Sequence, residues 1–318
     1  MTEPISFSWT ATPDPAEVTG LLDAVYAVDG RPAPEPDASL PGELRGGQHL
    51  FARRADAVVG YAHLNEGDAF GRPVAELFVR PPDRGAGIGA GLAAEVAARA
   101  GVSLDDPAAD RLRAWSHGDH PAAAGLARRL GFERVRELLR MRRALPGPDE
   151  PEFNGPALAL PTLPEGVRLR AFVPGQDEAA VVAVNHRAFD WHPEQGAMTE
   201  DEVREAETEP WFDPAGFLLA VDASDKLLGF HWTKVHAHGA VGDQPGVPMG
   251  EVYVVGVDPA AQGGGLGRAL TVAGLRHLAD KRGLDRVMLY TEGDNTPAIR
   301  LYERLGFARW DSDVQYAH

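Results

Sequence analysis

Residues 250–267 read GEVYVVGVDPAAQGGGLG, an apolar run that leads into a cluster of glycines. The run EVYVVGV (251–257) has the length and the β-branched content of a buried strand. The following segment, LGRALTVAGLRHLADKRG (266–283), has the apolar pattern of a helix. Glycines let a backbone approach a ligand closely, and the free amides at a helix N-terminus attract anions. The stretch therefore predicts a strand, a glycine turn and a helix that can hold a phosphate group.

The same order of segments occurs earlier in the chain. LFVRPPDRGAGIG (77–89) matches VGVDPAAQGGGLG (255–267), at a spacing of 178 residues. HGDHPAAAGLARRLGFERV (117–135) matches EGDNTPAIRLYERLGFARW (292–310), at a spacing of 175 residues. Two matched blocks in one order indicate a tandem duplication.

A proline-rich stretch separates the two copies. Residues 145–166 contain six prolines, and proline cannot continue a helix or donate a backbone hydrogen bond. We therefore expect an N-terminal domain at 1–145, a linker at 146–166 and a C-terminal catalytic domain at 167–318. A long loop inside one domain is the alternative, although such loops are uncommon in compact domains.

Composition restricts the class of protein. The chain of 318 residues has 47 acidic and 31 basic side chains, a formal net charge of -16, and no cysteine. The negative charge argues against nucleic-acid binding, and the lack of cysteine excludes disulfides and thiolate metal sites. Residues 1–12 show no signal-peptide pattern, and we see no apolar run long enough to span a membrane. We expect a cytoplasmic monomer without nucleic-acid or membrane partners.

Both glycine segments fit the pattern Q/R-x-x-G-x-G/A, at residues 262–267 and 84–89. In this they resemble the GCN5-related N-acetyltransferase family, in which the turn holds the pyrophosphate of acetyl-CoA. The resemblance implies an α/β fold of two tandem acetyltransferase domains, each with a mixed, mostly antiparallel sheet flanked by helices. One copy alone could be an ordinary glycine turn. Residues 85–90 also fit a dinucleotide-binding loop, with Asp105 or Asp106 as its acid, but four residues separate strand from glycines and the second copy lacks that pattern.

Acyl transfer to an amine needs a base for the ammonium proton and an acid for the leaving thiolate. Glu251 begins the strand before the glycine turn, and Tyr302 lies on the helix after the next strand. We predict that Glu251 is the catalytic base and Tyr302 the catalytic acid. The alternatives are a solvated glutamate at a strand edge and a tyrosine packed in the core.

The N-terminal copy serves as an internal comparison. At the same spacings, Pro73 stands in the place of Glu251 and Ala127 in the place of Tyr302. The N-terminal domain is therefore predicted to keep its glycine turn without catalysing the reaction.

Further motifs narrow the resemblance to the mycothiol synthase family. They are HPEQG (192–196), WFDP (211–214), LLGFHWTKVH (227–236), the stretch at 250–267 and LYTEGDN (289–295). The resemblance implies acetyl-CoA-dependent acetylation of the cysteine amine of desacetylmycothiol, a small molecule. It implies substrate contacts from Glu35, Glu194, Lys234, Glu251 and Tyr290.

The same resemblance implies contacts to acetyl-CoA as cosubstrate, with no metal. In the C-terminal copy these residues are Val255, Gly256, Val257, Gln262, Gly263, Gly264, Gly265, Leu266, Gly267, Arg268, Asn295, Thr296, Pro297, Ala298, Ile299 and Arg300. In the N-terminal copy they are Leu77, Phe78, Val79, Arg84, Gly85, Ala86, Gly87, Ile88 and Gly89, with His120 in the place of Asn295.

Three other interpretations stay open at this point. The chain could acetylate another small amine, such as an aminoglycoside or a peptide. It could be an acetyl-CoA-binding module without turnover, a role that suits the N-terminal half. His231, His236 and His238 could suggest a metal site, but the nearby acidic residues lack ligand spacing.

Overall fold

The computed structural model describes most of the chain. The described residues are 3–29, 40–41, 44–65, 67–68, 71–105, 111–146, 158–190, 195–237 and 246–318. Four residues named above, Glu35, Asp106, Glu194 and His238, lie outside them, as does the central part of the predicted linker, 147–157. Of the linker, residues 158–164 have neither helix nor strand, which suits their prolines.

Both copies fold into the same order of strands and helices, except that the second copy has one additional helix before its second strand. The strands of the first copy are β1 (Ile5–Thr10), β2 (Gln48–Arg54), β3 (Ala57–Asn65), β4 (Val74–Val79), β5 (Arg113–Ser116) and β6 (Glu133–Ala144). Its helices are α1 (Pro15–Asp29), α2 (Ile88–Arg99) and α3 (Pro121–Arg129). The strands of the second copy are β7 (Arg168–Ala171), β8 (Phe217–Val221), β9 (Leu227–His236), β10 (Met249–Val257), β11 (Arg286–Glu292) and β12 (Ala308–Ala317). Its helices are α4 (Glu178–Ala188), α5 (Glu200–Glu207), α6 (Leu266–Arg276) and α7 (Thr296–Arg304).

The elements form two compact units. The N-terminal unit contains the described parts of residues 1–138 together with 311–318, and the C-terminal unit contains those of 139–238 and 246–310. The second half of β6, from residue 139, therefore belongs to the C-terminal unit, and most of β12, from residue 311, belongs to the N-terminal unit. The boundaries of these units therefore differ from those of the domains predicted on either side of the linker, 1–145 and 167–318.

Each unit has one mixed sheet. In the N-terminal unit the strand order is β1-β2-β3-β4-β5 followed by the end of β12, and β4 and β5 are the parallel pair. In the C-terminal unit the order is β7-β8-β9-β10-β11 followed by the end of β6, and β10 and β11 are the parallel pair. The other recorded pairs are antiparallel. The predicted fold, mostly antiparallel sheets flanked by helices, is confirmed.

Aromatic packing fixes one face of the C-terminal sheet. Phe217 on β8 lies between Phe172 and Trp232, with ring centroids 4.5 Å from each and nearly parallel planes. The three rings are at most 2 % exposed. Each stacked pair contributes about 0.5–1.5 kcal/mol beyond its area burial, so β8 and β9 form a rigid base for β10.

A bulge interrupts β10 where it runs beside β9. Val252 pairs with Thr233, but Val254 pairs with Trp232, so Tyr253 is an extra residue in the ladder. Bulges bend a strand and increase its twist. On its other edge β10 pairs with β11 from Gly250 to Val252 and leaves the ladder beyond that point. The two parallel strands therefore separate at the bulge.

One close contact in this unit gives a direct test of the packing. His231 on β9 is fully buried and its Nδ1 lies 2.8 Å from the backbone oxygen of Leu270 on α6. A Cβ atom added to Gly274 would lie 2.1 Å from Cε1 of His231. We predict that Gly274→Ala lowers the free energy of unfolding by roughly 1–3 kcal/mol, because overpacking displaces buried groups. Denaturant titration measures the change.

The matched control is Gly20→Ala in α1, since nothing lies within 4 Å of the added Cβ atom there. That variant should keep or gain stability, by up to about 1 kcal/mol, because alanine favours a helix. Equal stability of Gly274→Ala and the wild-type protein would contradict the close contact.

Candidate active site

The connection from β10 to α6 begins with an anchored aspartate. Asp258 accepts a hydrogen bond from the amide of Ala260 at 3.0 Å and pairs with the guanidinium of Arg187 at 2.8 Å. The Ala260 amide and the Arg187 cation lower the pKa of Asp258. A charged, buried Asp258 thus fixes the chain where it leaves the strand.

The glycine turn that follows leaves the start of α6 open. Gly263 and Gly265 have φ of +91° and +77°, the left-handed region that favours glycine. Gly265 is the N-cap of α6, and no side chain makes a capping hydrogen bond there. A Cβ atom on Gly263 or Gly265 would meet nothing within 4 Å. The first amides of α6 therefore face open space with the partial positive charge of a helix N-terminus.

The N-terminal unit repeats this turn in detail. Gly85 and Gly87 have φ of +79° and +84°, and Gly87 is the N-cap of α2 without a side-chain cap. Nε of Arg84 donates to the backbone oxygen of Val79 at 3.1 Å. At the equivalent place, Nε2 of Gln262 donates to the oxygen of Val257 at 3.2 Å. The duplication seen in the sequence therefore extends to single hydrogen bonds.

The end of β10 supplies backbone beside the turn. Val255, Gly256 and Val257 pair with β9 along one edge, opposite His231, Phe230 and Gly229. A Cβ atom on Gly256 would lie 2.8 Å from the Phe230 ring, so the strand needs glycine there. The other edge of these residues faces the side from which β11 has separated. It offers main-chain groups to an extended ligand.

Glu251 lies on β10 just before the bulge. Its carboxylate Oε2 is 2.7 Å from Nε2 of His236, and the residue is 6 % exposed. Its direct cross-strand neighbour on β9 is Lys234. Glu251 is therefore not a solvated strand-edge glutamate, the alternative left open by the sequence.

Lys234 sits against two aromatic rings. Its Nζ is 4.5 Å from the ring centroid of Trp211 and 5.2 Å from that of Tyr253. The two rings meet edge to face, 5.5 Å apart. Cation–π contacts of this kind hold an ammonium in place, so Lys234 has a fixed position beside Glu251.

Strand register places Tyr290 on the same face of the sheet. Glu251 is the partner of Met288 on β11, and side chains two residues apart on a strand share a face. Tyr290 therefore lies on the face of Glu251 and Lys234. Three of the predicted substrate contacts are brought together, while Glu35 and Glu194 lie outside the described residues.

Tyr302 on α7 has a different environment. It packs against the core cluster that contains Val252, and its ring is 5.8 Å from that of Phe307. Burial raises the pKa of Tyr302 to about 12. Val252 and Glu251 point to opposite faces of β10, so Tyr302 and Glu251 approach the strand from opposite sides. No recorded hydrogen bond among the described residues joins them.

The predicted acetyl-CoA contacts at 295–300 form the first turns of α7. The side-chain oxygen of Asn295 accepts a hydrogen bond from the amide of Ala298 at 3.2 Å, so Asn295 caps the helix. His120 does the same for α3, through Nδ1 and the amide of Ala122 at 3.1 Å. A cap explains both residues without a ligand.

A cavity of about 740 Å³ lies in the N-terminal unit. Its lining includes the predicted contacts Leu77, Phe78, Val79, Arg84, Gly85, Gly87, Ile88 and Gly89. The turn, the end of β4 and α2 thus enclose one space. The guanidinium of Arg84 is paired with Asp29 at 2.7 Å.

A histidine between two carboxylates lines the same cavity. Nε2 of His117 is 3.1 Å from Glu76, and Nδ1 is 3.5 Å from Asp313. Burial opposes a charge on the ring, but Glu76 and Asp313 outweigh it and raise the pKa of His117 to about 9. His117 is therefore an imidazolium at neutral pH, which makes it a poor base.

The strand register corrects one assignment in this copy. Val74 on β4 pairs with Arg113 on β5, as Glu251 pairs with Met288. Val74 therefore stands in the place of Glu251, and the predicted Pro73 is wrong by one residue. The reason is the bulge in β10, which adds a residue between Glu251 and the glycine turn. A carboxylate is missing from this position in either case.

Sequence reasoning did not single out Tyr253, considered His236 only as a metal ligand and quoted Trp211 only as part of a family motif. The alternation of Trp232, Lys234 and His236 along β9 was the available signal, because these side chains share a face. His231 and His236 were considered above as metal ligands. The ring of His231 instead hydrogen-bonds to the backbone oxygen of Leu270, and the ring of His236 hydrogen-bonds to the carboxylate of Glu251. Within the described residues, no group of three or more His, Asp or Glu side chains is arranged to hold a metal ion. None of the described helices is both long and apolar enough to cross a membrane.

Comparisons with known proteins identify the family. Residues 184–307 match the model of the acetyltransferase (GNAT) family. The chain is 55 % identical over 306 residues to a mycothiol acetyltransferase of Saccharomonospora viridis, covering 95 % of this chain and 94 % of the relative.

Solved structures agree on the fold. A GCN5-related N-acetyltransferase from Sphaerobacter thermophilus superposes with a TM-score of 0.68 at 25 % identity, covering 98 % of this chain and 95 % of the other. A tandem GNAT protein from the clavulanic acid biosynthesis pathway has a TM-score of 0.66 at 20 % identity, and the match covers 99 % of this chain and 98 % of the other. With an identity above one half over nearly the whole length of a curated relative, the chain belongs to the mycothiol acetyltransferase family of tandem GNAT proteins.

Proposed function

We propose that this protein transfers the acetyl group of acetyl-CoA to the cysteine amine of desacetylmycothiol, which yields mycothiol. Its relatives carry the name mycothiol acetyltransferase. The observation that carries the proposal is the position of Glu251. This buried carboxylate lies on the strand that leads into the open glycine turn, where β10 begins to leave β11.

The glycine turn suits a diphosphate. The uncapped amides of α6 attract an anion, although the whole chain carries a net charge of -16. The separated edge of β10 at residues 255–257 can pair with an amide-containing arm. Acetyl-CoA supplies the acetyl group as a thioester. The residues present therefore fit this cosubstrate.

The face formed by Lys234, Glu251 and Tyr290 suits the acceptor. A carboxylate attracts a cationic amine and can take its proton before attack. Lys234 and Tyr290 offer a charged donor and a hydroxyl to the oxygens of a hydroxyl-rich sugar. Glu35 and Glu194 are proposed as further contacts from the family resemblance.

Tyr302 suits the role of the acid. Burial holds its pKa at about 12, so the phenol keeps its proton at neutral pH and can give it to a leaving thiolate. The opening between β10 and β11 lies between the faces of Glu251 and Tyr302. A reacting group in that opening can meet both side chains.

The N-terminal unit is proposed to hold acetyl-CoA without turnover. It has the same glycine turn and a cavity of about 740 Å³. Val74 and Ala127 replace the two proton-transfer groups. The proposal also keeps the expectation, drawn from the sequence, of a monomer in the cytoplasm.

The proposed roles of Glu251 and Tyr302 predict the effect of removing each proton-transfer group. Glu251→Gln should lower kcat/KM for desacetylmycothiol by roughly 10²- to 10⁴-fold, the usual contribution of a positioned acid or base. Tyr302→Phe should lower kcat by about 10²-fold for the same reason. The product is measured by mass spectrometry, and its resistance to hydroxylamine distinguishes an amide from a thioester on the substrate sulfur.

The matched control is Glu205→Gln on the exposed side of α5, which should keep the wild-type rate. Wild-type rates in both Glu251→Gln and Tyr302→Phe would show the assigned roles to be wrong. A wild-type protein that acetylates another amine well and desacetylmycothiol not at all would overturn the proposed substrate.

The proposed binding of a diphosphate predicts the effect of a negative charge in either glycine turn. Gly264 lies in the turn without a left-handed φ, and a Cβ atom there makes an ordinary 3.5 Å contact with Pro164. The KM for acetyl-CoA should be at least tenfold higher in Gly264→Glu than in the neutral variant Gly264→Gln, because the added charge repels a diphosphate. Steady-state kinetics at low ionic strength measures the ratio.

The corresponding residue in the N-terminal unit is Ala86. Ala86→Glu, compared with Ala86→Gln, should remove one of two equivalents of acetyl-CoA bound per chain while turnover stays near wild type. Isothermal titration gives the stoichiometry. A wild-type stoichiometry of one that Ala86→Glu leaves unchanged would refute binding in the N-terminal unit.

A further inference from the structure

The partner of the catalytic base has no role in the mechanism described so far. Nε2 of His236 is 2.7 Å from Oε2 of Glu251, and the two residues lie on adjacent strands. The side chain of Glu251 is 8 % exposed, whereas that of His236 is 26 % exposed. The imidazole thus lies between a nearly buried carboxylate and solvent.

The proposed reaction leaves one proton to be removed. When the C–N bond forms and the C–S bond breaks, an ammonium and a thioester become an amide, a thiol and one free proton. The nitrogen loses two protons in all. One balances the proton that Tyr302 gives to the thiolate, and the other, accepted by Glu251, must reach solvent before the next turnover.

We propose that His236 carries this proton from Glu251 to solvent. The inference rests on the proposed function of Glu251 as the base. Protonated Glu251 donates its O–H to Nε2 of His236, and the ring then releases a proton from Nδ1 to water. Exchange of the ring protons with water returns the tautomer with an unprotonated Nε2 before the next turnover. Histidine suits this step because its ordinary pKa lies close to neutral pH. No oxidant, metal or further reactant is needed.

The other groups around the pair are less suited to the step. Lys234, two residues earlier on β9, is held as an ammonium on the rings of Trp211 and Tyr253. Burial and the charges of Glu251 and Glu202 raise the pKa of Tyr253, so its phenol stays protonated. Tyr290 on β11 shares the face by strand register, and a phenol ordinarily loses its proton near pH 10.

A purely structural role for His236 makes a different prediction. A histidine that only holds the carboxylate could be replaced by another hydrogen-bond donor. His236→Gln keeps a donor amide but cannot accept and pass a proton. His236→Ala leaves a space beside Glu251 that free imidazole can enter. The two variants together therefore separate positioning from proton transfer.

The experiment measures kcat for acetylation of desacetylmycothiol by the full chain, with and without added imidazole. His236→Gln and His236→Ala should each lose roughly 10²-fold in kcat. Imidazole should restore His236→Ala at least tenfold, in a saturable manner that follows the concentration of the unprotonated base. Thermal melting of each variant, compared with wild type, confirms that it is folded.

Two control variants sharpen the result. His186→Gln changes a histidine whose ring binds the backbone oxygen of Met198, away from this pair, and should keep the wild-type rate without any effect of imidazole. In a protein that already carries Glu251→Gln, adding His236→Ala should lower kcat little further, and imidazole should not raise it. The reason is that the two groups pass on the same proton one after the other.

Each outcome decides the question. A wild-type kcat in His236→Gln, or a slow His236→Ala that imidazole does not restore, overturns the proton-carrying role while the proposed function stands. An inactive wild-type protein with this substrate instead contradicts the proposed function, and the role of His236 falls with it.

Discussion

The parallel strands β10 and β11 separate beyond Val252, and this separation positions the glycine turn and Glu251. β10 and β11 share register from Gly250 to Val252 and then separate, because the bulge at Tyr253 bends β10 while the ladder with β9 continues. The separation exposes main-chain groups at 255–257 and directs the strand into the glycine turn. Glu251 lies in the paired stretch, one residue before the last pair at Val252.

The sequence was most informative where backbone conformation demands one residue type. Gly263 and Gly265 have positive φ, and a turn of this shape before an apolar helix is readable without any structure. The exchange of last strands was not predictable, since β6 and β12 have patterns that fit either sheet. The residue pattern of β10 does not reveal the bulge at Tyr253 either. Because of this bulge, the counterpart of Glu251 in the first copy is Val74 and not the predicted Pro73. The pairing of His236 with Glu251 needs strand register, which no spacing within β9 reveals.

The two copies show how one backbone supports different chemistry. Both units keep the open helix N-terminus, down to the hydrogen bonds of Arg84 and Gln262 to the preceding strand. In the C-terminal unit a carboxylate is paired with a partly exposed histidine. In the N-terminal unit the carboxylates of Glu76 and Asp313 instead hold His117 as a cation. Duplication preserved the uncapped glycine turn, while the groups beside it diverged.

Backbone hydrogen exchange shows whether the glycine turn of the C-terminal unit binds the diphosphate of acetyl-CoA. If the amides of the glycine turn and the first turn of α6 bind a diphosphate, acetyl-CoA should slow exchange at residues 263–268, together with some of 255–257. Desulfo-CoA should have the same effect, since it keeps the diphosphate. Unchanged exchange in both segments at saturating acetyl-CoA, with protection elsewhere in the C-terminal unit, would contradict the account.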